Sequence, residues 1–317
     1  MTVSSEDVAR RAGVSRSTVS YILNGHGDRF SPATREAVER AVAELGYRPQ
    51  AAGRALARGQ SDLVLLVMPI AANGRFGEAI DVLTDALAEQ GLSLLMRSAT
   101  SSPESFRAMI TTVRPRAVIA LSDLTEAERA VVDSTGVRTL DVARATSRPG
   151  GWNWTMGRVQ AEHLIGRGYR RIVYARLSEA RNDVLMHARE LGVREACRLA
   201  GLAEPQVITV ALRADADLEV IASLPAGTGI ACYNDDTAAA ALGAARVIGR
   251  RVPQDLGFVG VDDTPVATQT TPRLTTIGFD MDTDMRSLAR AVTQQDDTTD
   301  DGLTGVGEYW LVQGEST

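Results

Sequence analysis

The spacing of apolar residues changes character near residue 61. Before it, three short segments carry a helical period. Ser4, with Asp7 three residues on, forms a capping-box pattern that opens a helix through Val8 to Ala12. Gly13-Val14 makes a turn, and Ser15 can cap a second helix through Val19, Ile22 and Leu23 to Asn24, with Gly25 behind it as a stop. The third segment has Ser31 as N-cap, Pro32 in the first turn, a stripe of Val38, Ala41, Val42 and Leu45, and Gly46 to end it. Two helices joined by a Gly-containing turn of this length predict a helix-turn-helix, whose second helix shows its N-terminal residues to base edges in a major groove.

Beyond residue 61 apolar runs alternate with amphipathic stretches. Strands are predicted at Leu63–Met68, Leu92–Met96, Ala117–Leu121, Val137–Val142, Ile172–Ala175, Val207–Val210, Gly229–Tyr233 and Phe258–Val261. Between them lie helical patterns such as Ile80, Leu83 and Leu87 ending at Gly91, and Phe106, Met109, Ile110 and Val113 behind Ser102-Pro103. Such alternation predicts parallel sheets covered by helices on both faces, and its length divides better into two sheets than one.

Charge is unevenly spread. Residues 1–60 hold nine arginines against six acids, while the remainder carries 25 arginines against 34 acids, for a net charge of −6. A basic head on an acidic body suits a tip that meets a polyanion and a body that avoids one. In the second helix Val19, Ile22 and Leu23 point inward, leaving Arg16, Ser17 and Ser20 outward. Arg16 can contact guanine O6 and N7 bidentately and Ser17 either base type, a good bidentate pair discriminating by about 1–3 kcal/mol. A small helical interaction module with a solvated arginine would share this pattern. At 317 residues, 44% hydrophobic, the chain can bury a large core. It shows no signal-peptide-like or transmembrane apolar run, and Cys197 and Cys232 lack metal-ligand or CxxC spacing, so a cytoplasmic protein is expected.

The stretches "EDVARRAGVSRSTVSYILNG" and "FSPATREAVERAVAELGYRP" closely resemble the DNA-binding head of the lactose-repressor (LacI/GalR) family of bacterial transcription regulators. The likeness continues through "QAAGRALARGQS", similar to that family's hinge helix, and over nearly the whole chain. The resemblance implies an all-α helix-turn-helix head at 1–49, a hinge helix at 50–60 and, at 61–317, an α/β periplasmic-binding-protein-like core. That core would hold two doubly wound parallel-sheet subdomains, about 61–168 with 280–304 and about 169–279 with 305–317. It places Arg16 and Ser17 at the specificity positions, with Ser5, Ser15, Thr18, Ser20, Tyr21, Asn24 and Arg54 also expected at DNA. Leu56 matches the leucine that wedges into the minor groove and bends the operator. Two departures stand out. Tyr21 replaces the family's usual arginine, which changes the expected half-site, and Gly53 falls in the hinge helix, where glycine costs about 1 kcal/mol relative to alanine. The hinge is therefore expected to fold only on DNA.

The resemblance also implies a ligand cleft near the C-terminal ends of strands. Asn73 and Phe76 in "NGRF" stand for the family's Asn-Pro-Phe-Phe, and Arg189 in "HARELG" for the arginine of its Arg-x-x-Gly. Asn234 in "CYNDD" matches its Asn-Asp element, with Asp235 opening the next helix, and Asp262 in "GVDDTP" matches the acid that accepts from ligand hydroxyls. Phe279 falls at a pocket position. Each also has a structural reading: Phe76 as core, Arg189 as a surface ion pair, Asp262 as a turn former. Where the family usually has Asp-Asn, this chain reads Asn153-Trp154, and Trp154 either covers the apolar face of a sugar or packs internally. Arg176 and Arg181 in "YARLSEARN" are expected at the cleft mouth, which keeps an anionic effector open beside a sugar. The loop "QQDDTTDDG", 294–302, lacks calcium-loop spacing and reads as a solvated connection.

The expectation is therefore a homodimeric repressor that grips a pseudo-palindromic operator in double-stranded DNA and answers to a small effector, a sugar, with no cofactor, metal or membrane partner. A cytoplasmic solute-binding or sensor protein without operator function is the alternative, while a stand-alone solute-binding protein would predict an export signal and no basic head. An enzyme is not expected: GxSxG, P-loop and GxGxxG patterns are missing, and His26, His163 and His187 show no nucleophile or metal pattern, His163 reading as a structural histidine.

Overall fold

The computed structural model describes residues 3–23, 27–47, 59–68, 74–98, 102–178, 184–213, 216–294 and 308–317, with backbone alone for 74–76. Asn24, the hinge positions Gly53, Arg54 and Leu56, Asn73, the Phe76 side chain, Arg181 and the 295–302 connection lie outside this description. The chain forms two units, Met1–Asp62 with Val113–Pro115, and Leu63–Thr112 with Arg116–Thr317.

In the first unit each helix starts and stops where its ends are chemically satisfied. Helix α1 (Ser5–Ala12) opens on a reciprocal capping box: Asp7 N donates to Ser4 Oγ at 3.3 Å and Ser4 N to Asp7 Oδ2 at 3.0 Å. It closes on Gly13, whose φ of 68° suits a residue without Cβ. Ser15 Oγ accepts from Thr18 N at 3.1 Å and starts α2 (Arg16–Leu23). Ser31 caps α3 (Pro32–Leu45) through Thr34 N, and Gly46 ends it. Val8, Val19 and Val38, one from each helix, are wholly buried together, ringed by Val14, Ile22, Leu23 and Tyr47. This small apolar core fixes α2 with its opposite face outward.

The second unit holds two all-parallel four-stranded sheets. The first has β1 (Leu63–Met68), β2 (Ser93–Ser98), β3 (Ala117–Ala120) and β4 (Arg138–Leu140) in the order β2-β1-β3-β4, interleaved with α4 (Gly74–Ala88), α5 (Pro103–Val113) and α6 (Glu126–Thr135). After β4 comes α7 (Val142–Thr146), where an extended Val142 was expected: Asp141 Oδ1 takes Arg144 N at 3.1 Å and turns the chain into a helix. The second sheet has β5 (Arg171–Leu177), β6 (Gln206–Val210), β7 (Thr228–Cys232) and β8 (Leu256–Val259) in the order β6-β5-β7-β8. Helices α8 (Trp152–Gly166), α9 (Val184–Leu199), α10 (Leu218–Ala222) and α11 (Asp235–Val247) accompany it, and α12 (Pro265–Gln269) follows β8. Strand β1 reads LVLLVM and is buried almost throughout, as a strand covered on both faces requires.

Two strands absent from the sequence reading, β9 (Thr276–Phe279) and β10 (Tyr309–Val312), pair antiparallel as a separate ribbon. Between them α13 (Met281–Thr293) lays Met285, Leu288, Ala289 and Val292 against Leu83 and Leu87 of α4, returning the chain to the first sheet. Ala161 and Leu164 of α8 pack with Tyr174 of β5 and Val193 of α9, so α8 lies on the second sheet. Helices α8 and α9 meet through glycine. A Cβ at Gly157 would stand 1.8 Å from the Arg189 carbonyl oxygen, and one at Gly192 1.9 Å from that of Trp154.

Candidate DNA-reading face and ligand cluster

On the exposed side of α2, Arg16, Ser17, Ser20 and Tyr21 recur at the i, i+1, i+4, i+5 spacing of one helical face. Arg16 Nε donates to Ser5 Oγ at 3.1 Å, so the first residue of α1 steadies the guanidinium while its terminal nitrogens stay available. Ser15, Ser17 and Thr18 form a hydroxyl cluster, with Ser15 Oγ 2.7 Å from Ser17 Oγ and 2.8 Å from Thr18 Oγ1. The Tyr21 ring, 46% exposed, leans on Phe30 with centroids 6.4 Å apart. The geometry thus brings Ser5 and Ser15–Tyr21 together at one end of the head.

In the second unit Arg189 of α9 is 5% exposed and lies against the N-terminus of α8. Its Nε donates to Asn153 Oδ1 at 3.1 Å, one terminal nitrogen donates to the Tyr233 carbonyl, and Asn153 Nδ2 donates to Thr146 Oγ1 at 3.0 Å. Its Cζ lies 5.3 Å from the centroid of the Trp152 ring and 4.8 Å from that of Tyr233. Trp152 meets Phe279 of β9 edge-on at 4.3 Å, inside a cluster with Met156, Val261 and Ile277. Phe279 therefore joins Arg189 through Trp152. Trp152, Asn153 and Tyr233 are not among the site residues named from the sequence, which favours Trp154 of the pair. Their signal was the paired aromatics of "WNW" and the tyrosine before Asn234.

Trp154, the tryptophan named from the sequence, is not part of this group. Two residues along a helix is a rotation of about 200°, so Trp154 projects from another side of α8, where Arg158 lies 5.7 Å from its ring centroid and pairs with Glu162 at 2.5 Å. Arg176 is likewise committed: its Nε donates to buried Glu190 Oε2 at 2.8 Å, and Arg194 holds the other carboxylate oxygen. Burial raises the Glu190 pKa, but the hydrogen bonds from Arg194 and Arg176 outweigh it and leave it lowered.

Asn234 caps α11, its Oδ1 accepting Thr237 N at 2.9 Å and Thr237 Oγ1 at 2.8 Å. That leaves Nδ2 as the group it can offer outward. Asp235, fully buried, ties three segments together: Oδ2 accepts from Thr264 N at 2.7 Å and Thr264 Oγ1 at 3.1 Å, and Oδ1 from Thr276 Oγ1 at 2.5 Å. Burial, then the Asp262 charge, pushes its pKa up to about 7 against the lowering effect of those hydroxyls and the Thr264 N–H. The knot holds the turn after β8, where buried Asp262 and its neighbour Asp263 take φ of 106° and 48°, a left-handed region that aspartate tolerates better than most residues. A separate cavity of about 400 Å³ shares Phe279 and is otherwise lined by Trp310, Ala79, Met281 and four acids, Glu78, Asp280, Asp282 and Glu308.

His163 Nε2 lies 3.0 Å from Thr317 Oγ1, a structural contact. Among the described residues no helix is long and apolar enough to cross a membrane, and no cluster of three or more His, Cys, Asp or Glu could hold a metal ion.

Residues 6–50 match the family model of bacterial regulatory proteins, lacI family, and residues 161–317 that of a periplasmic binding protein-like domain. The HTH-type transcriptional regulator GntR of Pseudomonas aeruginosa is 32% identical over 287 residues, covering 86% of this chain and 82% of its own. A solved transcriptional regulator CelR-cellobiose complex is 26% identical, with a TM-score of 0.64 over 99% of this chain and 100% of that one. The lac repressor dimer bound to operator and an anti-inducer, 22% identical, shares the fold with a TM-score of 0.77 over 100% of this chain and 99% of its own. From its helix-turn-helix head to its two parallel sheets, this chain belongs to the lacI family of bacterial regulatory proteins, DNA-binding transcriptional regulators.

Proposed function

We propose that the chain is a homodimeric repressor that reads its operator with Arg16, Ser17, Ser20 and Tyr21. Ser5, Ser15 and Thr18 act as phosphate or positioning contacts. Asn24, Arg54 and Leu56 complete the contact set by family likeness alone. The observation that carries the reading is Arg16, exposed on the second helix of the motif with its Nε braced by Ser5 and its two terminal nitrogens open to a guanine edge. Tyr21 in place of the usual arginine gives this chain an operator half-site of its own.

The effector site is built around Arg189, with Asn234, Asp262 and Phe279 on the same wall and Trp152 taking the role expected of Trp154. Asn73 and Phe76 belong to the effector set by family likeness alone. The effector is a sugar or sugar derivative, a reading supported by the CelR relative's complex with cellobiose and by aromatic rings next to hydrogen-bonding groups. Its binding changes the relation between paired cores, and so the hinge segments that present the heads. That coupling is reciprocal: an effector that weakens operator binding is itself held more weakly by the DNA-bound form. Selection of binding sites from a random duplex pool tests the proposal, and a chain that enriches no pseudo-palindrome at moderate salt refutes it.

A further inference from the structure

Two arginines are buried among the described residues, Arg97 and Arg189, and they are treated differently. Arg97 Nη1 meets the Glu128 carboxylate at 2.7 Å. Half-exposed Arg176 and Arg194 likewise converge on buried Glu190. Arg189 has no such partner: its hydrogen bonds go to an amide oxygen and a backbone carbonyl, its ring neighbours are Trp152 and Tyr233, and no described carboxylate lies within 4 Å. A guanidinium taken out of water is costly unless a counter-charge meets it, and two cation–π contacts offset only part of that cost.

A second observation falls at the same place. Trp152 is 9% exposed, and its Nε1 is buried with no hydrogen-bond partner. Native interiors rarely leave an N–H so, because it forfeits the bond it made to water. Nor can the ring readily swing out: Phe279 abuts it at 4.3 Å and Met156, Val261 and Ile277 pack around it. An uncompensated cation and an orphaned donor thus meet on one indole, whose ring centroid is 5.3 Å from the Arg189 carbon.

We infer that Arg189 and Trp152 together bind an anionic oxygen group, a carboxylate or a phosphate, carried by a hydroxylated effector, and that Trp152 is a specificity-determining residue through its Nε1–H. Two oxygens on one anionic centre can take the outer edge of the guanidinium and the indole donor at once. Asp262 and Asn234 then serve the hydroxyls as acceptor and donor. This rests on the placement of the effector at the Arg189 cluster and names its class. Trp152 supplies what a ring alone would not, since phenylalanine offers the same apolar face without the donor.

The test uses the full chain, wild type, Trp152→Phe and Arg189→Lys, in thermal-shift and titration measurements against matched sets: glucose, glucuronate and glucose 6-phosphate, with the corresponding galactose and mannose series. Binding to the native state raises stability by mass action. At least one charged member is expected to bind wild type more tightly than its neutral counterpart, and whether the uronates or the phosphates respond identifies the source of the anion. Trp152→Phe should weaken that member by about tenfold to a hundredfold, the range for a lost hydrogen bond to a charged group, and narrow its advantage over the neutral sugar, which a packing defect alone would not do. Arg189→Lys should narrow the same ratio if Trp152→Phe folds poorly. Neutral sugars binding as tightly as charged ones, no response to any charged member, or an unchanged ratio in the variants overturns the inference. Operator selection by the ligand-free wild type is read separately, so failure there strikes the regulator reading and leaves this one distinguishable.

Discussion

Replacing Gly157 with alanine should damage the second sheet's helical layer, although alanine is the better helix former. The new Cβ would sit 1.8 Å from the carbonyl oxygen of Arg189, 2.6 Å from its carbonyl carbon and 2.8 Å from its Cα. A carbon–oxygen contact normally rests at about 3.3 Å or more, so α8 and α9 would have to part by about 1.5 Å. All three struck atoms are backbone and cannot rotate aside. Overpacking of this kind costs about 1–3 kcal/mol, and rigid backbone places it at the upper end. Alanine's helix propensity returns about 1 kcal/mol, leaving a net loss of about 2 kcal/mol. The same separation draws Arg189 away from Asn153 of α8, its 3.1 Å partner, so effector response should fall as well. Gly166, at the end of the same helix, is the control: a Cβ there meets nothing within 4 Å. Urea unfolding followed by circular dichroism should show Gly157→Ala less stable than wild type and Gly166→Ala equal or more stable. Equal stability of the two variants would refute the argument that a close helix crossing governs this site.

Other substitutions probe the head, the Asp235 knot and the first sheet. Arg16→Ala should relax base preference at one operator position by about 1–3 kcal/mol, and identical selected sequences for variant and wild type would remove Arg16 from the reading face. Asp235 has its folded pKa raised from 3.8 to about 7, so its stabilising contribution is complete below about pH 4 and is lost as the pH climbs through 7. The stability gap between wild type and Asp235→Asn should therefore shrink between pH 5 and pH 8 in chemical unfolding, and a constant gap would contradict the linkage. Glu128→Ala should cost about 3–5 kcal/mol by stranding buried Arg97; a thermal midpoint within a degree of wild type would show that the pair matters little. Burial, then Arg167, lowers the His163 pKa from 6.5, so its contribution, complete above about pH 6.5, should fade as the pH drops below that value, a slope that His163→Gln should flatten.

Much of the head could be read directly because its signals are local. Ser4, Asp7, Ser31, Pro32 and Gly46 act within a few residues of themselves, and the cap geometry follows from those residue types. The central strands of the two sheets were legible for a related reason: a strand covered on both faces reads as a near-continuous apolar run, as β1 does throughout and β7 does from Gly229 to Cys232. Strands β9 and β10 escaped because they form a two-stranded ribbon whose pairing, Thr276–Phe279 with Tyr309–Val312, spans a helix and depends on no neighbouring pattern. Within the candidate effector cluster, Arg189, Asn234 and Asp262 are named by family likeness, whereas the sequence points to Trp154 rather than Trp152. Helix α8 is buried around most of its circumference, so no apolar stripe says which of two tryptophans faces inward, and only its packing against α9 chooses.

The return of α13 to α4 carries a cost during synthesis. Leu83 and Leu87 emerge from the ribosome long before Met285, Leu288 and Val292, the residues that cover them. Nearly two hundred codons separate the two halves of that contact. Until the later half appears, the nascent chain holds a naked greasy surface, which invites aggregation or capture by a chaperone. The early sheet should consequently stay sensitive to added protease on stalled ribosomes whose product stops before residue 281, and gain resistance once the product runs past 293 and clears the exit tunnel.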